Sequence, residues 1–330
     1  MIPLNYKSKL NLLETEIAIK ELKDYFEKLL SEKLNLTRVS APLFVLSETG
    51  LNDNLDGTQV PVNFNVFDNK KAEIVHSLAK WKRFALHRYG IKPNFGLYTD
   101  MNAIRKDETL DNIHSYYVDQ WDWERIIAKE ERTLEKLYEI VNSIYDVFKS
   151  TLYFIKCKYP TLSCDLPDKI TFINSEDLEK MYPELSSKER EYEITKKHGA
   201  VFIIGIGKVL SSGKKHDERS PDYDDWELNG DILFWFPTLD IAMEMSSMGI
   251  RVDSKSLMKQ LKATDTLDRL EKDYHKMILN DELPFTVGGG IGESRLCMFY
   301  LEKAHIGEVQ SSLWPSDIIN EYKQNNIYFL

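Results

Sequence analysis

Three cysteines, Cys157, Cys164 and Cys297, are too few and too scattered for a disulfide framework or a Cys-x-x-Cys metal site. Long apolar runs are also missing. The longest, AVFIIGIG at 200–207, falls far short of the roughly 20 residues that cross a bilayer. The opening MIPLNYKSKLNLLETE lacks the basic-then-apolar layout of a signal peptide, so a reducing cytoplasm is the expected location. Basic residues are in the minority, 43 against 53 acidic, for a net charge of −10. That balance argues against a broad nucleic-acid surface, which needs clustered Lys and Arg. The common phosphate-cradle templates are absent too. TVGGGIGESRL carries Gly288, Gly289, Gly290 and Gly292, yet it matches neither G-x-G-x-x-G nor the G-x-x-x-x-G-K-[ST] loop.

What is present is ordinary globular composition, 42% apolar and 29% charged, in a chain able to bury a substantial core. No repeat or low-complexity linker divides it, and one domain over 1–330 is expected. Residues 12–34 predict a helix with Leu13, Ile17, Leu22, Phe26, Leu29 and Leu30 near helical spacing. A β-branched run with Pro42 follows, then a half-buried strand at 62–67 and a helix at 77–90 stopped by Gly90. The aromatic, alternating segment 115–126 predicts a strand. A helix over 131–159 ends at Pro160, a strand KITFI precedes a short helix from Ser175, and Ser186 with Glu189 forms a capping box. Strands are expected at 200–206 and 231–236, and helices near 254–263 and 267–280. Strands and helices intermix without βαβ alternation, which predicts an α+β fold on a largely antiparallel sheet.

Several stretches carry chemistry. HSLAKWKR sets Lys80, Lys82 and Arg83 near a helix start, against the macrodipole, which points to an anion close by. In YVDQWDWER, Gln120, Asp122 and Glu124 share one strand face opposite Asp119, Trp121 and Trp123, and composition alone turns that polar stripe to solvent. The charge-dense connection 208–230, with His216, Asp217, Glu218, Arg219, Asp222, Asp224 and Asp225, reads as a solvated loop. Asp231 and Glu244 could share a divalent cation, since Mg²⁺ takes one or two protein carboxylates beside phosphate oxygens. Arg295 follows the glycines inside a helical run.

Together these pieces resemble the ordered motifs of class II aminoacyl-tRNA synthetase catalytic cores. The helix and Pro42 strand at 12–46 look like the first motif, a dimer interface in that family. Residues 96–126, with Arg105 and Glu108, look like the second, and 286–302 like the third. VHSLAKWKR, YVDQWDWER, PDYDDW, LNGDIL, SSMGIRVD and GGGIGESRL sharpen the match. They resemble the ammonia-dependent asparagine synthetases, which share the class II core, from end to end.

The resemblance implies an AMP-forming ligase that turns aspartate, ATP and ammonia into asparagine through a β-aspartyl-adenylate, with Mg²⁺, as a homodimer. By resemblance Arg105 holds the α-phosphate beside the β-carboxylate, and Arg295 meets the adenine ring or γ-phosphate. His114, Ser246, Ser247 and Arg251 serve the nucleotide, Arg251 by reaching the triphosphate. Asp231 and Glu244 hold the metal. Asp53, Lys82, Gln120, Asp122 and Asp224, with Arg105, serve aspartate, and Asp53 or Asp224 takes the proton from ammonium. Asp53 stands in LNDNLDG, which keeps the family's D-N-L core but differs around it at Asn52 and Asp56, leaving the loop shape open. A tRNA ligase is disfavoured because the chain is acidic and no second domain fits. A non-catalytic relative is disfavoured because Arg105, Arg295, Asp231, Glu244 and Lys82 are all retained. Position 2 is Ile, not the Cys nucleophile of the unrelated glutamine-dependent enzymes, which leaves free ammonia as the nitrogen source.

Overall fold

A computed structural model describes residues 2–53, 55 and 59–330. Helix α1 (Leu12–Leu34) leads into β1 (Leu36–Arg38), and β2 (Phe44–Leu46), β3 (Asn63–Asn65) and β4 (Lys71–Ile74) follow. Helix α2 (Ala79–Arg88) precedes the hairpin of β5 (Gly96–Ile104) and β6 (Tyr117–Ile126). Next come α3 (Leu134–Lys158), β7 (Thr171–Asn174), α4 (Ser175–Met181), α5 (Ser187–His198) and β8 (Ala200–Ile204). A second long hairpin joins β9 (Asp224–Phe236) to β10 (Ile241–Arg251), followed by α6 (Ser254–Ala263) and α7 (Asp273–Leu279). The chain closes with β11 (Thr286–Gly292), α8 (Glu293–Tyr300) and α9 (Ser316–Gln324).

Eight strands form one sheet in the order β1-β5-β6-β11-β10-β9-β8-β7. Its two edge pairings, β1 with β5 and β7 with β8, are parallel, and the pairings between them are antiparallel. This is the expected α+β sheet. Strands β2, β4 and β3 make a separate antiparallel ribbon.

One face of the large sheet is roofed by α1, α3 and α8. Phe26 of α1 stacks on Trp121 of β6 at 4.9 Å, and Phe148 of α3 meets Phe234 of β9 edge-on at 4.9 Å. The helix signals read from sequence hold where they are local. Asn11 and Ser186 cap α1 and α5 through capping boxes, and Tyr159 and Pro160 close α3. Three expectations fail. Leu13 and Ile17 are exposed, while Leu22, Phe26 and Leu30 of the expected face turn inward together with Ala18. Strand β3 is exposed at all its residues, lying in the small ribbon rather than over the core. The helix expected over 267–280 is a 3₁₀ turn at Leu267–Glu271 followed by α7. Among the described residues no helix is long and apolar enough to cross a membrane, and the three cysteines are unpaired.

Candidate active site

The face of the sheet opposite α1 and α3 carries a cleft of about 370 Å³, floored by β6, β11 and β10. Strand alternation builds it. Trp121 and Trp123 point into the core while Gln120 and Asp122 point into the cleft. The polar stripe on β6 therefore faces a site, not solvent.

The glycine run of β11 makes that stripe possible. Gly288, Gly290 and Gly292 pair with Glu124, Asp122 and Gln120, so glycine lies beside every member of the stripe. A Cβ on Gly288 would sit 1.9 Å from a Glu124 carboxylate oxygen, and one on Gly290 would sit 2.4 Å from Gln120 Oε1. The run stays extended, with no positive φ in it. Its glycines are empty volume for neighbouring polar side chains rather than a loop wrapped on a phosphate.

At the deep end the charges are paired. Lys82 Nζ donates to Asp122 Oδ1 at 2.9 Å and to the Gly289 carbonyl at 2.8 Å. Burial pushes the Lys82 ammonium below its ordinary pKa, against the pull of Asp122. Arg251 forks onto Glu124, its Nη2 2.7 Å from Oε2, and its other nitrogen donates to Asp224. Burial would raise the pKa of Glu124, but Arg251 outweighs it and holds the carboxyl below its usual range, helped by the Thr286 hydroxyl at 2.6 Å. Arg251 is thus committed at the floor of the cleft. Its guanidinium lies on two buried carboxylates, Glu124 and Asp224.

The connection 208–230 is likewise not a solvated loop. Asp224 and Asp225 already belong to β9, and His216, Asp222 and Asp224 are buried. Asp222 accepts from Lys80 at 3.1 Å, His275 Nε2 at 2.9 Å and Ser220 at 2.7 Å, with Arg269 at 3.1 Å. Burial alone would raise its pKa, yet these cations hold it well below the carboxylate range. The anions implied by the cationic start of α2 are therefore Asp222 and Asp122. Arg83, the third cation, is satisfied by the carbonyls of Val252 and Pro284 at 2.7 and 2.9 Å.

Toward the mouth lie Arg105, His114, Glu244, Ser246, Ser247 and Arg295. Arg105 reaches the His76 carbonyl at 3.4 Å, and its Nε is buried with no partner among the described residues. Arg295, delivered by α8, donates to the Glu244 carbonyl at 3.2 Å and has the Glu244 carboxylate at 4.0 Å. Ser246 Oγ is also buried without a partner among the described residues. His114 is held by Asp111 at 2.8 Å. Asp53 is buried and lines the cleft, accepting from the Ser77 hydroxyl at 2.9 Å and the Leu55 amide at 2.9 Å. Asn54 and Asp56 of its loop lie outside the described residues.

Asp231 stands beside Ser247 on the neighbouring strand, where Arg219 bonds both. Burial pushes the Asp231 carboxyl up to about 6, with Arg219 opposing and the charge of Glu244 adding. A buried carboxyl with a second carboxylate's charge bearing on it suits a hard divalent cation. Two carboxylates do not fill an octahedral shell, and phosphate oxygens and water commonly complete it for Mg²⁺. These residues fit the metal they were expected to hold.

Two residues at the site had no role in the sequence reading. Glu124 stood in the stripe turned to solvent, and only its pairing with Arg251, 127 residues away, reveals its burial. Arg219 lay in a charge-rich stretch with no local pattern to distinguish it from its neighbours.

Comparison with known proteins agrees with this geometry. The family model described as aspartate-ammonia ligase matches residues 13–326. The aspartate–ammonia ligase of Clostridium perfringens is 62% identical over 331 residues, covering 100% of this chain and 98% of that one. Its counterpart from Fusobacterium nucleatum is 58% identical over 325 residues, covering 98% and 99%. Among solved structures, the Pyrococcus horikoshii asparaginyl-tRNA synthetase complexed with asparaginyl-adenylate superposes with a TM-score of 0.67 at 15% identity, covering 91% of this chain and 70% of that one. The Entamoeba histolytica enzyme in complex with asparaginyl-adenylate gives 0.64 at 17%, covering 91% and 66%. The structural likeness establishes the class II synthetase fold, and the near full-length sequence identity establishes more: this chain belongs to the aspartate–ammonia ligase family.

Proposed function

We propose that the chain makes asparagine from aspartate and ammonia, with ATP cleaved to AMP and pyrophosphate through a β-aspartyl-adenylate. The observation that carries this reading is one cleft with two chemically distinct ends. Its floor is lined by paired charges suited to a small zwitterion, and its mouth by Arg295 and by Arg105, whose buried Nε has no partner among the described residues, a pair suited to a nucleotide.

A carboxylate is a poor acyl donor because oxide is a poor leaving group, and adenylation supplies AMP in its place. Arg105 has a buried Nε–H with no partner among the described residues, available to donate to an oxyanion, which suits the point where β-carboxylate and α-phosphate are forced together. Arg295 and Ser246 face the nucleotide. Asp231 and Glu244 would hold Mg²⁺, which when bound screens phosphate charge and orients the triphosphate. Lys82, Gln120, Asp122 and Asp224 line the aspartate end.

Ammonium must lose a proton before it can attack. Asp224 gives Oδ1 to Arg251 and has the Arg219 Nε 3.9 Å from Oδ2, whereas Asp53 accepts from one hydroxyl and one amide among the described residues and has no cation bonded to it there. Asp53 is therefore the proton acceptor in this reading. The family's first motif lies at 12–46, and the exposed Leu13, Ile17, Leu43 and Phe44 give it an apolar surface for a second copy of the chain.

The test is incubation with aspartate, Mg-ATP and ammonium while asparagine and AMP are followed. Equal amounts of both are expected. ADP as the nucleotide product, or turnover with glutamine alone, overturns the mechanism. Light scattering checks the assembly, and a monomer overturns the homodimer.

A further inference from the structure

Arg219 is a buried cation bonded to Asp231, one of the two carboxylates proposed above for the metal. Its side chain is 8% exposed, and it lines the cleft. One terminal nitrogen donates to Asp231 and the other to the Ser247 hydroxyl. Nε is buried with no hydrogen-bond partner among the described residues, and the nearest carboxylate oxygen, on Asp224, lies 3.9 Å away. The stem is fixed: Gly207, at φ +98°, lies so close that a Cβ there would be 2.8 Å from the Arg219 Cβ. Only the far torsions of the side chain are left to redirect the guanidinium.

We infer that Arg219 has two stations, a conclusion that rests on the metal reading of Asp231 above. Without nucleotide it neutralises Asp231. With Mg-ATP present it passes to the phosphate oxygens, leaving Asp231 to the metal. The argument is one of charge. A carboxylate oxygen that accepts from a guanidinium is closed to a cation, so arginine and metal compete for Asp231 while the cleft is empty. A guanidinium displaced inside a buried site must find another anion, because an unpaired buried charge is costly. The triphosphate supplies that anion within the same cleft, and the fork geometry of arginine matches it. Arg219 is then a competitor of the metal in the free protein and a partner of it in the nucleotide complex. This places Arg219 among the residues that touch substrate, and it makes metal binding depend on nucleotide.

Mn²⁺ titration followed by electron paramagnetic resonance tests this on the whole chain, with and without a non-hydrolysable ATP analogue. Wild type is expected to bind Mn²⁺ weakly alone and well with the analogue. Arg219→Gln should bind Mn²⁺ more tightly alone, by roughly ten-fold as couplings of this kind run, and bind the analogue more weakly by a similar factor. A merely structural role would weaken both, so the opposite signs are diagnostic. Arg219→Lys keeps the charge without the fork and should fall between; it replaces the glutamine variant if that one does not fold. Asp231→Asn should lose Mn²⁺ binding in both states. If Asp231→Asn loses it while Arg219→Gln leaves both affinities unchanged or weakens both, the two-station inference is overturned and the metal reading stands. If Asp231→Asn binds Mn²⁺ normally, both are overturned.

Discussion

Gly290 and Asp122 face each other across adjacent strands, and the side chain that the glycine lacks is the space the carboxylate fills. A Cβ at Gly290 would lie 2.8 Å from Asp122 Oδ1 and 2.4 Å from Gln120 Oε1. Both groups line the cleft, at the end proposed above for aspartate, and Asp122 also holds Lys82. Gly290→Ala should therefore raise KM for aspartate by at least about ten-fold, as displacing a catalytic or binding group by an ångström commonly does, and change KM for ATP less. Steady-state kinetics with each substrate varied separately checks this. Equal effects on both would mean the glycine serves the nucleotide.

Among the described residues Arg105 is held lightly, by a single 3.4 Å bond to the His76 carbonyl. Arg105→Ala should leave the thermal midpoint near that of wild type. Adenylation should fall by about 10²–10³-fold, the usual loss when one charge-stabilising donor is removed from a developing oxyanion. Pyrophosphate exchange reads the adenylation step alone. Near-normal exchange would remove Arg105 from its place between carboxylate and phosphate.

The difference between Arg105 and Arg251 shows what a sequence can reveal. Helix ends were legible because their causes are local: Ser186 with Glu189, Gly90, Pro160. Arg105, Gln120, Asp122, Ser246 and Arg295, singled out from separate stretches of the sequence, come together in one cleft. Burial of charge was not legible, because it depends on partners far away in the chain. Lys80 meets Asp222 at a separation of 142 residues, and Glu124 meets Arg251 at 127. Strand β10 was missed for a similar reason. IAMEMSSMGIR shows little alternation in hydrophobicity, and it becomes a strand by pairing on both sides with β9 and β11. The one local hint was the cluster of cations at the start of α2, unfavourable unless anions stood close by.

Arg251 anchors two carboxylates, Glu124 and Asp224, that are each no more than 1% exposed. Arg251→Met should cost about 3–5 kcal/mol, the range for leaving a buried charge unpaired. Adding Glu124→Gln should restore part of that loss, because one of the two stranded charges is then gone. Urea unfolding of the two single variants and the double gives the coupling. An additive double would mean that the pair is not interacting energetically.

Behind the site, Lys23 of α1 bridges Asp119 of β6 at 3.1 Å and Glu293 of α8 at 2.9 Å, joining α1, β6 and α8 at one ammonium. Burial pushes the Glu293 carboxyl up to about 8, Asp119 adds to the rise, and Lys23 opposes it. Near neutral pH this carboxyl is protonated in the fold and ionised in the unfolded chain, whose ordinary value is 4.5. The folded state then binds the extra proton, so stability falls as pH rises. The contribution is fully present below 4.5 and is lost progressively up to about 8. One proton sets the steepest possible slope, about 1.4 kcal/mol per pH unit. Glu293→Gln keeps the shape of the neutral acid and cannot ionise. It should be no less stable than wild type at pH 8.5 and should flatten the decline between pH 5 and 8. Urea midpoints taken at intervals across that range measure it. A variant that declines as steeply as wild type would place the proton uptake on another group.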